Sequence, residues 1–373
     1  MSSLSPAMSA ASPFIANGVP SSTAWPPAAQ LADGAESLSF DAVLCEQWCD
    51  WSELQVRRLR RQALQPGQVR VAMHHVGIGF AFKLFVSGKY QRKPPLPFSP
   101  GTEGAGVVLE VGEGVHHVQV GQRVALATDW GGLAQEAIVT AETVYPVPDA
   151  LPLSVACALP LTYGTAWGAL KWRAQLQPGE VLLVHGASGA LGMAAVQIGR
   201  SMGATVLATA STPEKREAVL SYGAHRVLDS DATELAAKVK SLSCGRGANV
   251  VFDPVGGALF DASLRCVASE GCLLSIGYAS GQIPQVAANL LLVKNVSLMG
   301  FNFGVYVGWG LIDERRRYMP HVQQLMHDMF AAVCNSTLPP PHTQHFAFSQ
   351  WKEGVATTME RRAQGKVIID MVA

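Results

Sequence analysis

The sequence predicts an α/β fold in which a doubly wound parallel sheet is combined with a β-rich domain. Strand and helix patterns alternate between Val181 and Ile276, as expected for βαβ units that build a parallel sheet. Between Ser37 and Val147, short apolar runs are instead broken by glycine and proline, which is typical of an antiparallel β domain. A length of 373 residues is enough for two such domains.

The N-terminal part begins with residues 1–33, which are rich in Ala, Ser and Pro and contain no Lys or Arg. This composition fits neither a secretory signal nor a transit peptide, so we expect a flexible extension. The β-rich part follows, with turns supplied by Pro100 and a series of glycines. Its clearest candidate strands are residues 68–73, 106–111 and 123–126.

The pattern changes near Leu151, where apolar residues begin to recur at helical spacing. Predicted helices cover residues 154–170, 190–202 and 213–222, and predicted strands cover 181–185, 205–209, 226–228, 250–253 and 272–276. After Trp309, predicted helices at 318–334 and 350–364 precede a closing strand at 366–370. We expect this closing strand to return to the N-terminal β domain.

Charge and cysteine usage exclude several classes of function. The formal net charge is zero, so a polyanionic partner such as a nucleic acid is not expected, and the short cluster Arg57, Arg58, Arg60 and Arg61 is interpreted as an exposed face or loop. The seven cysteines are never spaced as C-x-x-C, which predicts free thiols and a cytoplasmic location. No apolar run reaches about 18 residues without polar breaks, so no membrane helix is expected.

A glycine-rich turn is the main candidate binding element. Gly186, Gly189 and Gly192 lie between the predicted strand 181–185 and the helix that follows it. Small residues there let a pyrophosphate approach the amides at the start of the helix, so the turn predicts a dinucleotide site. The spacing G-x-x-G-x-x-G is unspecific by itself, and an ordinary glycine-rich strand-to-helix turn is the alternative.

The end of the second strand of this domain predicts NADPH rather than NADH. An NAD site places an acid there to bind the ribose 2′-hydroxyl, but the chain offers Ser211, Thr212 and then Lys215, which suit a 2′-phosphate. The nearest acid, Glu214, is expected on the helix and facing away. A solvated helix face is the alternative interpretation of Lys215 and Arg216.

Several motifs in a fixed order resemble one family, the zinc-independent, zeta-crystallin-like quinone oxidoreductases of the medium-chain dehydrogenase/reductase superfamily. The matching stretches are residues 88–98, 100–107, 121–124, 159–166, 186–192 and 253–257. The resemblance implies a GroES-like catalytic domain formed by residues 34–157 and 305–373, a Rossmann domain at 158–304, and a homodimer or homotetramer paired through the Rossmann sheet edges. The cofactor contacts it implies are Tyr90, Thr165, Ser188, Gly189, Ala190, Leu191, Ser211, Lys215, Ser230, Ile276, Gly277, Tyr278, Phe301, Asn302 and Phe303.

The positions that hold catalytic zinc in related dehydrogenases lack ligands. The Gly-His-Glu of the zinc members reads Gly101-Thr102-Glu103, and the early ligand position falls near Phe82 and Lys83. The other conceivable ligands are the histidine pairs 74–75, 116–117 and 342/345, which are more often surface or core residues. We therefore expect no metal, and we expect hydride transfer to a quinone or an enone, whose oxygen takes up the developing charge.

Tyr90 is a candidate donor of a hydrogen bond to the acceptor oxygen, although a packing or cofactor-contacting aromatic is the better explanation of this residue. One departure from the family keeps a second class of function open. Related sequences carry Asn and Asp where this chain has Gly79 and Phe82, so a polar group near the acceptor is lost. The alternative is a non-catalytic NADPH-binding protein, structural or regulatory, and a zinc alcohol dehydrogenase is a more distant third.

Overall fold

The computed structural model describes residues 39–372, so the predicted extension 1–33 lies outside the described part of the chain. The strands, numbered in chain order, are β1 Ser39–Leu44, β2 Gln55–Arg60, β3 Gln68–Ile78, β4 Glu103–Val111, β5 Arg123–Ala127, β6 Glu136–Thr140, β7 Val144–Pro146, β8 Val181–Val184, β9 Thr205–Ala210, β10 Arg226–Asp229, β11 Ala248–Asp253, β12 Val267–Ser275, β13 Ser297–Gly300, β14 Thr343–Ala347 and β15 Lys366–Asp370. The α-helices are α1 Ala81–Val86, α2 Leu153–Ala156, α3 Gly164–Trp167, α4 Ala190–Ser201, α5 Pro213–Ser221, α6 Ala232–Leu242, α7 Ala258–Cys266, α8 Ala288–Lys294, α9 Arg315–Cys334 and α10 Trp351–Met359.

The first large sheet has seven strands in the order β14-β15-β3-β4-β5-β7, with β6 paired to β3. Its N-terminal strands pair in antiparallel fashion. The closing strand β15 lies antiparallel to β3, with Asp370 opposite His75. The prediction that the C-terminal strand returns to the N-terminal β domain is therefore confirmed.

The second large sheet has six parallel strands in the order β10-β9-β8-β11-β12-β13. The chain starts at β8 in the centre, runs outward to β10, and then returns to β11 on the other side of β8. In such doubly wound sheets a ligand crevice forms at the carboxyl ends of the strands, where the order reverses. The predicted fold class is confirmed.

The central strands are buried on both faces, which explains their uninterrupted apolar sequence. All four residues of β8 are buried. Helix α4 packs closely against it because Gly199 has no side chain: a Cβ there would lie 2.4 Å from Leu182 Cδ2. The helix that begins at the glycine turn is thus held at a fixed place above the sheet.

A long helical stretch, Leu153–Arg173, connects the two parts of the chain. It consists of α2, α3 and two π-helical segments, Leu159–Tyr163 and Gly168–Arg173. It is long and apolar enough to cross a membrane by length and composition only, with a mean hydropathy of 1.2. Its most apolar window is 72% buried inside the fold. Packing in a protein core therefore accounts for its apolar residues.

The arginine cluster lies on an exposed face, as one of its two interpretations predicted, because Arg57, Arg58 and Arg60 belong to β2; Arg57 pairs with Glu46 at 2.9 Å and Arg58 with Asp41 at 3.2 Å. One local prediction was wrong. The predicted helix 350–364 ends earlier, at Met359, since the backbone at Arg361 has a positive φ of 59° that no helix accommodates. The domain boundaries at 157/158 and 304/305 stay predictions.

Candidate active site

Most of the predicted cofactor residues lie at one edge of the parallel sheet. The glycine turn follows β8, Ser211 follows β9, Ser230 follows β10, Ile276 follows β12 and Phe301 follows β13. Because all these strands are parallel, their carboxyl ends meet along the same side. The structure therefore brings together residues that the sequence spreads over more than a hundred positions.

The backbone of the glycine turn is shaped for close approach. Gly186 has a φ of +58°, and a Cβ at Gly192 would lie 2.4 Å from Gly186 O and 2.6 Å from Ala187 Cα. Gly189 is the N-cap of α4, which has no side-chain cap. The amides of the first helical turn are thus left available to an anion, as at other phosphate-binding helix ends.

The β-rich domain contacts this turn directly. Gly365, just before β15, donates its N–H to Ser188 O at 3.0 Å, and Gly189 and Gly365 form an isolated parallel bridge. The turn therefore lies where the two sheets meet, at the edge where the ligand cleft of a doubly wound sheet is expected. Ser188, Gly189, Ala190 and Leu191 are all partly exposed there, as a wall of that cleft requires.

The contacts of Lys215 and Arg216 bear on whether these residues bind a 2′-phosphate or form a solvated helix face. Lys215 Nζ donates to Arg361 O at 2.9 Å across the cleft, whereas Arg216 Nη1 pairs with Asp229 Oδ2 at 2.6 Å. Thr212 caps α5 by accepting from Lys215 N, and Ser211 is exposed beside it. Lys215 thus faces the cleft, while the charge of Arg216 is already engaged.

Arg361 is a candidate residue that the sequence analysis missed. It follows α10, is exposed, and its Nη2 donates to Ala279 O at 2.6 Å. A second cation therefore lies in the same part of the cleft as Lys215. It was placed within a predicted helix, so no sequence pattern singled it out.

The loops after β11 and β12 form the opposite side of the cleft. Asp253 is buried and its Oδ1 accepts from Val255 N at 2.7 Å and Gly256 N at 2.9 Å, which orders the loop beside Gly186. Ile276 N donates to Asp253 O at 2.9 Å. Gly277 and Tyr278 follow, with Tyr278 hydrogen-bonded through its hydroxyl to Ser275 Oγ at 3.0 Å and 43% exposed.

Tyr90 and Thr165 come from outside the parallel sheet. The Tyr90 ring stacks on Phe85 with centroids 4.2 Å apart, and burial raises the pKa of its phenol. The hydroxyl therefore stays protonated at neutral pH and able to donate. Thr165 is partly exposed on α3. The stacking favours a packing role for the Tyr90 ring without excluding a donor role for its hydroxyl.

In the stretch Phe301–Phe303, only the middle residue is exposed. Phe301 and Phe303 are 7% and 2% exposed. Their rings pack directly against Gly168 and Gly164, so closely that a Cβ on either glycine would collide with them. Asn302 is exposed, but its Oδ1 accepts from Gly304 N at 2.9 Å. The two phenylalanine rings are core residues, so any contact from this stretch comes from Asn302 or the backbone.

The positions that correspond to zinc ligands hold other chemistry. Phe82 is buried in the apolar core, Lys83 is exposed, and Thr102 offers only a hydroxyl. Glu103 is buried and its carboxylate binds Thr162 and Lys366. A Cβ at Gly79 would have only Lys366 Nζ within 4 Å, so the lost polar group leaves open space. This donor set does not fit a catalytic zinc ion.

Comparison with known proteins gives consistent matches over nearly the whole chain. Residues 65–149 match the model of an alcohol dehydrogenase GroES-like domain, and residues 190–323 match that of a zinc-binding dehydrogenase. The chain is 37% identical over 339 residues to the quinone oxidoreductase-like protein 2 homolog of Nematostella vectensis, covering 89% of each chain.

Two solved structures have the same fold. A quinone oxidoreductase of Pseudomonas syringae is 27% identical with a TM-score of 0.81, covering 89% of this chain and 100% of that one. A mycobacterial protein complexed with NADPH is 28% identical with a TM-score of 0.79, again covering 89% of this chain and 100% of that chain.

Proposed function

Because the chain belongs to the quinone oxidoreductase-like branch of the medium-chain dehydrogenase/reductase superfamily, we propose that it oxidises NADPH and passes hydride to a quinone or an enone. The observation that carries the proposal is the cleft wall formed by the glycine turn and Gly365. When bound, NADPH supplies a hydride that a conjugated acceptor can take up without a metal, since the acceptor's oxygen receives the charge.

The preference for NADPH rests on the end of β9. Ser211 and Lys215 offer a hydroxyl and an ammonium group where NAD-binding domains place a carboxylate. Arg361 adds a second cation to the same region. Two cations and a hydroxyl suit a dianionic 2′-phosphate far better than a neutral ribose hydroxyl.

The chain's own residues position the cofactor and the acceptor and exclude water from between them; those that the structure describes do not form a proton relay. The loop ordered by Asp253 and the Gly186–Gly192 turn fix the walls of the cleft. Tyr90, whose phenol is protonated at neutral pH, is the candidate to hold the acceptor's oxygen. The buried Phe82 places an apolar ring where related sequences carry a polar group, and a Cβ at Gly79 would have only Lys366 Nζ within 4 Å.

We expect the purified chain to oxidise NADPH over many turnovers with at least one benzoquinone, naphthoquinone or simple enone. The measurement is the loss of the reduced nicotinamide absorbance, in buffer with and without EDTA. If no metal takes part, EDTA leaves the rate of NADPH oxidation unchanged.

Tyr90→Phe lowers kcat more than it raises KM if its hydroxyl holds the acceptor. Saturable NADPH binding without turnover on any acceptor would instead favour the non-catalytic alternative.

Lys215→Ala provides the sharper test of the cofactor site. Loss of a charge-assisted contact raises the Kd for NADPH by about tenfold to a hundredfold and leaves that for NADH unchanged. Arg216→Ala is the matched control, because its guanidinium already pairs with Asp229. Equal losses in the two variants, or an equal effect on both nucleotides, would contradict the assignment of Lys215.

We also propose that the chain pairs with a second copy through strand β13, the outer strand of the parallel sheet. Next to it, Leu292 and Val293 of α8 are each 80% exposed, and Leu298 of β13 is 40% exposed. An unpaired strand edge beside exposed apolar side chains favours association. In a dimer, β13 of each copy would extend one continuous sheet.

The double variant Leu292→Glu/Val293→Glu is expected to convert the dimer to a monomer, since paired copies would bury the introduced charges. Size-exclusion chromatography with light scattering measures the mass. Val120→Glu is the control, because Val120 is 61% exposed and lies outside the parallel sheet. A wild-type chain that is monomeric at micromolar concentration would refute the pairing.

A further inference from the structure

Three neighbouring strands of the seven-stranded sheet bring two histidines and an aspartate together. Asp370 on β15 lies directly opposite His75 on β3, and His345 comes from β14 on the other side. His75 Nδ1 lies 2.7 Å from Asp370 Oδ1, and His345 Nδ1 lies 3.0 Å from the same oxygen. Residues nearly 300 positions apart thus converge on one carboxylate.

The spacing of these atoms is that of a small metal site. The candidate ligand atoms of all three residues lie within 4.8 Å of one another. Tetrahedral zinc with bonds near 2.0 Å keeps its ligand atoms about 3.3 Å apart, so changes of about 0.6 Å for the closest pair and at most about 1.5 Å for the widest pair would admit an ion. Such shifts are available because His345 is exposed and the other two side chains are partly exposed.

A fourth residue fixes the orientation of one imidazole. His345 Nε2 lies 3.0 Å from Thr343 Oγ1, two residues earlier on the same strand. Ligating histidines in proteins commonly hold their second ring nitrogen in such a hydrogen bond, which leaves the first nitrogen for the metal. When an ion is bound, the tautomer that fits is the one whose Nε2–H donates to Thr343 Oγ1, because Nδ1 then presents its lone pair to the ion beside the carboxylate.

We propose that His75, His345 and Asp370 form a binding site for a divalent transition-metal ion, with Zn²⁺ as the preferred occupant and water completing its coordination. Two imidazoles and one carboxylate suit Zn²⁺, Cu²⁺ or Ni²⁺ and disfavour Mg²⁺ and Ca²⁺, which take oxygen ligands. Asp370 lies four residues beyond Lys366, about 13 Å along the strand, so the site is separate from the cofactor cleft.

Occupancy would fasten the C-terminal strands to the body of the sheet. The ion bridges β14, β15 and β3, and it binds only the folded chain because the unfolded chain does not hold the three residues together. The sequence suggested different pairs, His74 with His75 and His342 with His345. In the structure His342 instead packs its ring on Tyr222, with centroids 4.6 Å apart.

The test uses the full chain with Cys244→Ser and Cys334→Ser, since these exposed thiols would bind zinc themselves. After EDTA treatment and its removal, calorimetric titration with Zn²⁺ is expected to show one saturable site, and Zn²⁺ is expected to raise the Tm by a few degrees. A Co²⁺ spectrum without a thiolate charge-transfer band confirms nitrogen and oxygen ligands.

His345→Ala and Asp370→Asn are each expected to weaken Zn²⁺ binding by more than about tenfold and to remove the Tm shift. His327→Ala is the matched control, because His327 is exposed on α9 outside the cluster. A wild-type background that binds no Zn²⁺, or binding and a Tm shift that survive both ligand variants, overturns the proposal.

Discussion

Gly192→Ala is expected to weaken NADPH binding by about a hundredfold or more. The added Cβ would lie 2.4 Å from Gly186 O and 2.6 Å from Ala187 Cα, and both are backbone atoms that cannot rotate away. The start of α4 must therefore move from the turn, and its amides no longer converge on a pyrophosphate. Calorimetry with NADPH measures the loss.

Gly189→Ala separates a displaced turn from a blocked phosphate. The nearest atom to a Cβ at Gly189 is 3.7 Å away, so this variant is expected to keep the wild-type Tm. If the pyrophosphate lies against Gly189, affinity still falls, because the methyl group occupies the place of the ligand. A folded Gly192→Ala protein with wild-type affinity for NADPH would show that the turn does not bind the dinucleotide.

The sequence predicted the parallel sheet and its glycine turn because both are local patterns. Strands β8, β9 and β11 are short apolar runs, and the turn lies immediately between β8 and a helix. The carboxyl ends of parallel strands necessarily meet at one edge. Ser211 could be placed at this edge from the end of its strand alone, whereas Ser230 and Ile276 were implied by the family resemblance and lie at the same edge in the structure.

What the sequence could not give are contacts between distant segments. Lys215 meets a carbonyl 146 residues away, at Arg361, and His75 meets Asp370 across 295 residues. No periodicity encodes such pairs, since they depend on how the C-terminal strands return to β3. For the same reason Phe301 and Phe303 were expected near a ligand, whereas Gly168 and Gly164 on a separate helix receive their rings.

A buried ion pair lies at the junction of the two sheets, and its loss is expected to destabilise the fold. The side chains of Lys366 and Glu103 are 1% and 4% exposed, and Lys366 Nζ bonds directly to Glu103 Oε1. Glu103 also accepts from Leu161 N at 3.2 Å, Thr162 N at 3.3 Å and Thr162 Oγ1 at 2.9 Å. One carboxylate thus ties β4, β15 and the connecting helical stretch together.

Lys366→Met is expected to lower the free energy of unfolding by about 3–5 kcal/mol, because it leaves the Glu103 carboxylate buried without a cation. Urea denaturation followed by circular dichroism measures the change. Lys352→Met is the matched control: this lysine is exposed and Nζ donates to Ser52 O at the surface, so its removal is expected to change stability by less than about 0.5 kcal/mol.

The double variant Glu103→Gln/Lys366→Met distinguishes the charge from the packing. With no ion left in the core, it is expected to be more stable than Lys366→Met alone, since the neutral amide can still accept from Thr162 N and the methionine fills the space of the lysine stem. A double variant no more stable than Lys366→Met would place the cost in lost packing rather than in the unpaired carboxylate. A Lys366→Met protein as stable as the wild type would show that the pair does not hold the junction.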